Sequence, residues 1–141
     1  MATYAVTDNG NNVSAGPKAY VQQVVVDHSS TNLGINEDID LFKIPANTLV
    51  ISVGIELVTA GSNAGTLDVG DGDAADTWVT DLDADGTAGI QEFGTATKYY
   101  DSADTIDMKA ITAAFDGKIR AWAVMVPVGA DATAAAFAVP A

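Results

Sequence analysis

The chain has 141 residues, which is enough for one domain with a single hydrophobic core. Its formal net charge of −13 comes from 19 acidic and 6 basic residues. This balance argues against binding to nucleic acid or to anionic membranes, because both require a basic surface.

The residue types favour an all-β fold. Hydrophobic residues make up 48% of the chain, so it can form a packed core despite its charge. Sixteen of the 19 acids are Asp and 13 residues are Gly, and both types are common in turns and rare inside helices. Cysteine is absent, which excludes disulfides and thiolate metal sites.

The beginning of the sequence, MATYAVTDNGNN, lacks the basic and apolar regions of a secretory signal. No apolar run approaches the roughly 20 residues of a membrane helix. We therefore expect a soluble protein that is synthesised in a cytoplasm. Residues 1–17 are polar and predict an N-terminal arm, residues 18–128 predict the folded domain, and the Ala-rich residues 129–141 predict an extended tail.

The first half of the domain shows three strands. AYVQQVVVDH is rich in β-branched residues and ends at a turn cluster. In EDIDLFKI the apolar positions change parity between Leu41 and Phe42, which predicts a bulge or burial of both faces. TLVISVGIELV alternates over eleven residues, as in a half-buried strand of an antiparallel sheet.

Further strands follow in TLDV, DTWVTDL, GIQEFGT, KYYDSADTIDMKA and GKIRAWAVMVPV, the last of which is apolar enough to be central. About eight short strands without a convincing helix predict an antiparallel β-sandwich or barrel. The alternation predicts a core that contains Leu49, Ile51, Val53, Ile55, Leu57, Ile106, Met108 and Val124.

The segment DLDADGTAGIQE has the ligand spacing of an EF-hand calcium loop. Asp81, Asp83, Asp85 and Glu92 occupy positions 1, 3, 5 and 12 of the pattern. An EF-hand has a helix on each side, but both flanks here are predicted strands. Two interpretations stay open: a solvated Asp/Gly connection, or a calcium site on a β-scaffold. Calcium is the one candidate cofactor.

The preceding loop, TLDVGDGDAADTW, contains four Asp residues without a recognised ligand spacing. Its Asp and Gly residues are typical of turns, although a hydrolytic carboxylate pair is an alternative. His28 is followed directly by two serines, which cannot converge on it as a catalytic triad requires, so we expect a turn histidine and predict no catalytic residue. The residues Trp78, Trp122, Tyr99 and Tyr100 are either core and interface aromatics or a sugar-stacking platform.

Four segments in order resemble one family: DLFKIPANTLVISVGIELVTA, GTLDVGDGDAADTW, TKYYDSADTIDMKA and GKIRAWAVMVPV. They are similar to small structural proteins of tailed bacteriophages, among them the capsid decoration (cement) proteins. The resemblance covers roughly residues 38–128, and the LDVGDG turn and KYYDSADTID are its most specific parts. The segment DLDADG is not part of the family pattern.

The resemblance implies an all-β, jelly-roll-like antiparallel β-sandwich and no enzymatic activity. The extended N- and C-terminal arms, residues 1–17 and 129–141, lie outside the resemblance and are predicted from their composition. It also implies attachment to the outer capsid surface of a virion, after synthesis in the host cytoplasm. The expected partners are the major capsid protein and further copies of the chain, in a homotrimer or, alternatively, a dimer. A tail or head-fibre component, a carbohydrate-binding module for host attachment, and a hydrolase remain alternatives.

Overall fold

A computed structural model describes residues 18–94 and 97–128, in which nine strands and no helix occur. No helix in these residues is therefore long and apolar enough to cross a membrane. The predicted arm (1–17) and tail (129–141) lie outside the described residues. The strands are β1 (Tyr20–Asp27), β2 (Asp38–Ile44), β3 (Thr48–Thr59), β4 (Thr66–Gly70), β5 (Val79–Asp83), β6 (Gln91–Gly94), β7 (Lys98–Tyr100), β8 (Asp104–Ile111) and β9 (Lys118–Pro127).

The strands form two antiparallel sheets. The first sheet has the order β1-β9-β3-β6, and β7 pairs with β3 beyond β6 along the same edge. The second sheet has the order β2-β8-β4-β5. Except at β4–β5 and β6–β7, consecutive strands lie in different sheets, and β8 and β9 return beside β2 and β1, which is jelly-roll topology. The predicted all-β sandwich is confirmed, although KYYDSADTIDMKA contains two strands, β7 and β8, rather than one.

The core lies between the two sheets and is built by alternate residues of the long strands. In β8, Ile106, Met108 and Ala110 are fully buried, and the residues between them face outward. The predicted core positions Val53, Ile55, Leu57, Ile106 and Met108 are confirmed, each with no exposed surface. Burial of one side of every strand accounts for the period of two in the sequence.

The core prediction is wrong at Leu49 and Ile51 because β3 contains a bulge. Its register with β9 shifts between Val50 and Ser52, so the inward parity changes there. Val50 is fully buried, Leu49 is half-buried and Ile51 is 38% exposed. In β2 the register shifts between Asp40 and Phe42, which confirms the predicted bulge at the Leu41–Phe42 parity change.

The core prediction is also wrong at Val124. Strand β9 lies centrally between β1 and β3, as predicted, and its inward residues are Ile119, Ala121, Ala123 and Met125. Val124 belongs to the outward set and is half-buried. Lys118 and Arg120 share the parity of Val124 and indicate the outward face, but from Ala121 onward both faces of the strand are apolar and the period of two no longer distinguishes them.

Candidate functional site

The acidic loop between β4 and β5 is organised around one buried carboxylate, Asp71. Its side chain has no exposed surface. Asp71 Oδ1 accepts hydrogen bonds from the backbone N–H groups of Asp73 (3.0 Å) and Ala74 (3.2 Å) and from Thr77 Oγ1 (3.0 Å). These bonds close the loop on itself in an Asx-turn, as the sequence predicts for Asp in turns.

The other oxygen of Asp71 ties this loop to β7. Lys98 Nζ lies 2.7 Å from Asp71 Oδ2 and 2.7 Å from Asp73 Oδ2, and the Tyr100 hydroxyl also donates to Asp71 Oδ2. Burial alone would raise the pKa of Asp71, but the bonds from Lys98 and Tyr100 outweigh burial and hold it at about 2. Burial and the same carboxylate raise the pKa of Tyr100. We call Asp71, Lys98 and Tyr100 the Asp71 network.

The Asp71 network joins the β4–β5 loop to β7, and both oxygens of Asp71 accept hydrogen bonds. Sequence reasoning missed it because Lys98 is 27 residues from Asp71 along the chain. The available signal was that Lys98 and Tyr100 are two residues apart in a strand and so share a face. The hydrolytic carboxylate pair considered for this loop thus includes one residue that is already bonded internally.

The outward side of the second sheet is acidic. Asp40 pairs with Asp107 across β2 and β8, while Lys109 lies between Asp38 and Asp68. We call these five residues the acidic face. Two carboxylates that are directly opposite each other on neighbouring strands repel, so this arrangement costs stability.

Asp107 is the most perturbed carboxyl of the acidic face. Burial, together with the neighbouring Asp40 and Asp38, raises its pKa to about 6, against a hydrogen bond with Thr105 that lowers it. Its Oδ1 atom is buried without a hydrogen-bond partner among the described residues. Beside it, a pocket of about 170 Å³ is lined by Asp38, Asp107, Lys109 and residues 71–75. The charges around this pocket favour cationic groups of a partner.

Of the four predicted calcium ligands, Asp81 and Asp83 lie in β5, Asp85 lies in the turn after it, and Glu92 lies in β6. Asp83 ends β5 and lies beside Asp85, and its hydrogen bond to Asp85 raises the pKa of Asp85. Asp81 has φ = 57°, accepts a bond from Thr66 (3.3 Å) and donates its N–H to Asp68 (2.8 Å). Glu92 lies on β6 of the other sheet, opposite Ile55. In residues 18–94 and 97–128, no three acidic or histidine side chains are grouped to hold a metal ion, and calcium binding stays a prediction.

The four aromatic residues considered for a sugar platform are dispersed. Trp78 and Tyr100 are 4% and 5% exposed and belong to the core. The hydroxyl of Tyr99 donates to Asn47 Oδ1 (2.8 Å), and Trp122 lies on the outward side of the first sheet. Two of the four aromatic residues therefore lie in the core, and the four do not form one shared platform.

His28 lies in the turn after β1, as predicted. Its Nδ1 atom is 3.0 Å from the carbonyl oxygen of Thr31, and its ring contacts Phe115 edge-on, with 5.9 Å between the centroids. The ring is 8% exposed. These contacts are structural, and the ring bonds to the backbone rather than to Ser29 or Ser30.

Part of the outward side of the first sheet is apolar, while Lys118 and Arg120 on the same side form ion pairs with Asp27 (3.4 Å) and Glu56 (3.4 Å). Val21 and Phe93 are 63% and 56% exposed, and Trp122 packs edge-on against Phe93 with 5.3 Å between ring centroids. The indole lies across Gly54, where a Cβ atom would be 2.3 Å from Trp122 Cε2. We call the residues Val21, Val25, Phe93, Trp122 and Val124 the apolar face. Large exposed apolar patches often mark interaction surfaces.

Comparison with known proteins identifies similar folds but no family. No protein-family model and no curated protein matches the chain. A chain in the acidic stable capsid structure of Helicobacter pylori bacteriophage KHP30 is 15% identical, with a TM-score of 0.59 over 77% of this chain and 86% of that one.

Two further capsid structures contain similar chains. In the cyanophage Pam1 capsid asymmetric unit, the identity is 16% and the TM-score is 0.60, over 79% of this chain and 86% of that one. In the capsid of Ralstonia phage GP4, the identity is 15% and the TM-score is 0.55, over 81% and 85%. At this level of identity the likeness shows a shared fold, and all three structures with that fold are phage capsids.

Proposed function

We propose that this protein is a structural component of a phage virion that binds the outer surface of the capsid and stabilises its lattice. The observation that carries the proposal is the shared fold: the chain aligns with at least 85% of a similar chain in each of three phage capsid structures. The sequence resemblance to decoration proteins supports the same role independently of the coordinates.

Binding rather than catalysis also agrees with the chemistry of the described residues. Asp71, the carboxylate with the most hydrogen bonds, is paired with Lys98 and Tyr100 and is held ionised by them. His28 is turned to the backbone of its own turn. These groups stabilise the domain and leave its outer faces for contacts with other molecules.

The acidic face is the surface that we assign to the capsid. Its four carboxylates exceed its one lysine, and the repulsion between Asp40 and Asp107 would be relieved by a cationic group placed between them. The expected partner is therefore a basic patch of the major capsid protein. Attachment should weaken as salt screens these charges, with a screening length of about 8 Å at physiological ionic strength.

A tail or head-fibre component that binds host carbohydrate is the second candidate, and one observation favours it. Phe93 and Trp122 form an aromatic pair on the outward side of the first sheet, and aromatic side chains stack on sugar rings. Their rings meet at 62°, however, so they do not form one flat platform. A glycan array with the wild type and Trp122→Ala would detect this activity.

The test is the location and the effect of the protein in virions. Virions that lack it should release DNA at a lower temperature or at a milder osmotic shock than the wild type, and added protein should restore their resistance. Shells as robust as the wild type, with the protein found on the tail, would contradict the capsid role and support the fibre alternative.

The docking surface is tested by adding variants back to depleted virions. Asp38→Asn with Asp40→Asn removes two charges from the acidic face and should weaken binding. Thr59→Lys with Gln91→Lys changes the net charge equally on exposed positions of the first sheet and should bind as the wild type does. Equal loss in both double variants would show that net charge alone matters.

A further inference from the structure

Strand β1 forms an unprotected edge of the first sheet. It pairs with β9 over eight residues without a register shift, from Tyr20 opposite Met125 to Asp27 opposite Lys118. Within residues 18–94 and 97–128, no strand pairs with its other side. A regular edge strand presents a row of free N–H and C=O groups that can pair with another chain.

The other sheet edges carry features that prevent such pairing. Strand β2 has a bulge and the charged residues Asp38, Asp40 and Lys43. Strand β5 has a register shift and a left-handed residue, Asp81. Strands β6 and β7, which share the remaining edge, have only four and three residues. Bulges, charges and short length are known protections of sheet edges, and β1 has none of them before its last residue, Asp27.

The side chains of β1 also leave apolar surface uncovered. Val21 and Val25 are 63% and 51% exposed on the outward side, separated by the uncharged Gln23. They continue the apolar face, since Val21 lies opposite Val124 of β9. On the inward side, Tyr20 and Val26 are only partly buried at the end of the core.

We propose that β1 pairs antiparallel with β1 of a second copy of this chain, across a two-fold axis at Gln23, so that the first sheets of two molecules become continuous. In this register Val21 lies opposite Val25 of the second copy, and Tyr20 lies opposite Val26 of the second copy. Aromatic and β-branched pairs on neighbouring strands stabilise a sheet.

Other registers are less favourable. A slip of two residues in one direction places Val21 opposite Asp27 of the second copy, and in the other direction opposite Gln23. A slip of one residue would put the outward side chains of one copy on the inward face of the other. The second copy is the expected occupant because the apolar positions of β1 complement each other only about this centre.

The contact is self-complementary and closes after two copies, so it produces a dimer. A trimer would need a different contact. Both copies carry a net charge of −13, and β2 lies at the same side of the sandwich as β1. Salt should therefore strengthen this dimer by screening repulsion, whereas it should weaken docking on a basic shell.

The experiment is sedimentation equilibrium of the full chain and of two double variants. The wild type should be a dimer at micromolar concentration. Val21→Lys with Val25→Lys, and separately Val21→Glu with Val25→Glu, should each weaken the dimer by about 100-fold or more, because like charges then face each other at two pairs. A one-to-one mixture of the two double variants should form a heterodimer, since each introduced lysine then faces an introduced glutamate.

Two controls separate the contact from general effects. Ile35→Lys, at an exposed apolar position outside the strands, should leave the dimer unchanged. Circular dichroism of the double variants should show the wild-type β signal, because both valines are exposed.

Three results would overturn the proposal: a monomeric wild type, an oligomer that both double variants leave intact, and a mixture that stays monomeric. A chain that dimerises only after deletion of residues 1–17 would also overturn it and would assign the β1 edge to the protein's own N-terminal residues.

Discussion

The two sheets of this sandwich contribute equally to one core but present opposite chemistry to their surroundings. The outward positions of β1, β6 and β9 carry the apolar face, with Val21 and Phe93 more than half exposed. The outward positions of β2, β4 and β8 carry the acidic face, where Asp40 and Asp107 are direct neighbours across two strands. The inward residues of both sheets are mainly apolar, with Thr48 and Gln22 as polar exceptions.

The difference shows that the net charge of −13 is not simply a property for solubility. Alternation fixes the inward residues, while the outward residues of each sheet can specialise independently. A like-charge pair across strands lowers the stability of the free domain, so the acidic face suits a cationic partner. The apolar face, together with the open β1 edge, suits a contact between copies.

The substitution with the largest expected effect unfolds the domain, so that both the acidic face and the apolar face are lost. Val53→Asp puts a carboxylate at a position in the middle of β3 with no exposed surface and no cationic neighbour in the sheet register. An unpaired buried charge costs roughly several kcal/mol, which is comparable to the stability of a small domain. We expect loss of the cooperative thermal transition in circular dichroism.

Ile51→Asp is the matched control for that change. It introduces the same residue two positions earlier in the same strand, but at the bulge, where the side chain is 38% exposed. We expect a folded protein with a modestly lower melting temperature. Equal unfolding by both substitutions would mean that the bulge does not turn Ile51 away from the core.

The second effect concerns the Asp71 network, which holds the β4–β5 loop beside the acidic face. Asp71→Asn removes the buried partner of Lys98, which is 28% exposed and keeps its contact with Asp73, and should cost about 1–3 kcal/mol in urea denaturation. Asp73→Asn removes the exposed partner of the same lysine, 79% exposed, and should cost less than about 1 kcal/mol.

The Asp71 network also predicts a pH dependence. The pKa of Asp71 is lowered from 3.8 to about 2, so its contribution to stability is present above pH 3.8 and is lost as the pH falls through about 2. The Asn variant should lack this loss. If Asp71→Asn loses the same stability as the wild type at low pH, other carboxylates are responsible for the acid sensitivity.

The sequence predicted the fold where alternation was uninterrupted. Ile106 and Met108 were identified as core residues because their neighbours in β8 are polar. The same reasoning failed at Ile51, because a bulge changes parity without a change in residue type. It failed at Val124 because the second half of β9 is apolar on both faces, although Lys118 and Arg120, on the parity of Val124, indicate the outward face.

The surfaces were harder to predict than the core. The sequence identified the acidic loops but could not pair Asp71 with Lys98 or Asp40 with Asp107, because each pair joins strands that are distant along the chain. The spacing of Asp81, Asp83, Asp85 and Glu92 matches a ligand pattern, but Glu92 lies in a strand of the other sheet from Asp81 and Asp83. The spacing of residues along the chain therefore says little about whether their side chains meet in a β-sandwich.

A smaller effect of opposite sign is expected at Asp107. Its pKa is raised from 3.8 to about 6, so the stability that it contributes is present below pH 3.8 and is lost as the pH rises through about 6. Asp107→Asn should therefore be more stable than the wild type at pH 8, by about 1 kcal/mol after allowance for its partial exposure.

The control for Asp107→Asn is Asp76→Asn, which removes the same charge at an exposed loop position. Urea denaturation of both variants at pH 4 and pH 8 gives the comparison. We expect a gain only for Asp107→Asn and only at pH 8. Equal gains in both variants would mean that the total negative charge, and not the Asp40–Asp107 contact, limits stability.

The smallest expected effect is that of calcium, which stays a prediction for the second acidic loop. Asp83 forms a hydrogen bond with Asp85 that raises the pKa of Asp85, and a divalent cation between the two carboxyl groups would replace the proton of that bond. A weak site saturates in the millimolar range, and at a calcium concentration equal to Kd the native state gains only about 0.4 kcal/mol.

The melting temperature should rise with calcium at constant ionic strength, because salt alone also screens the charge of −13. Asp83→Ala should abolish the rise, while Asp101→Ala, at an exposed turn position between β7 and β8, should retain it. The same rise in Asp83→Ala, or none in the wild type, would leave this loop as a solvated connection and the acidic face as the part of this sheet that attracts cations.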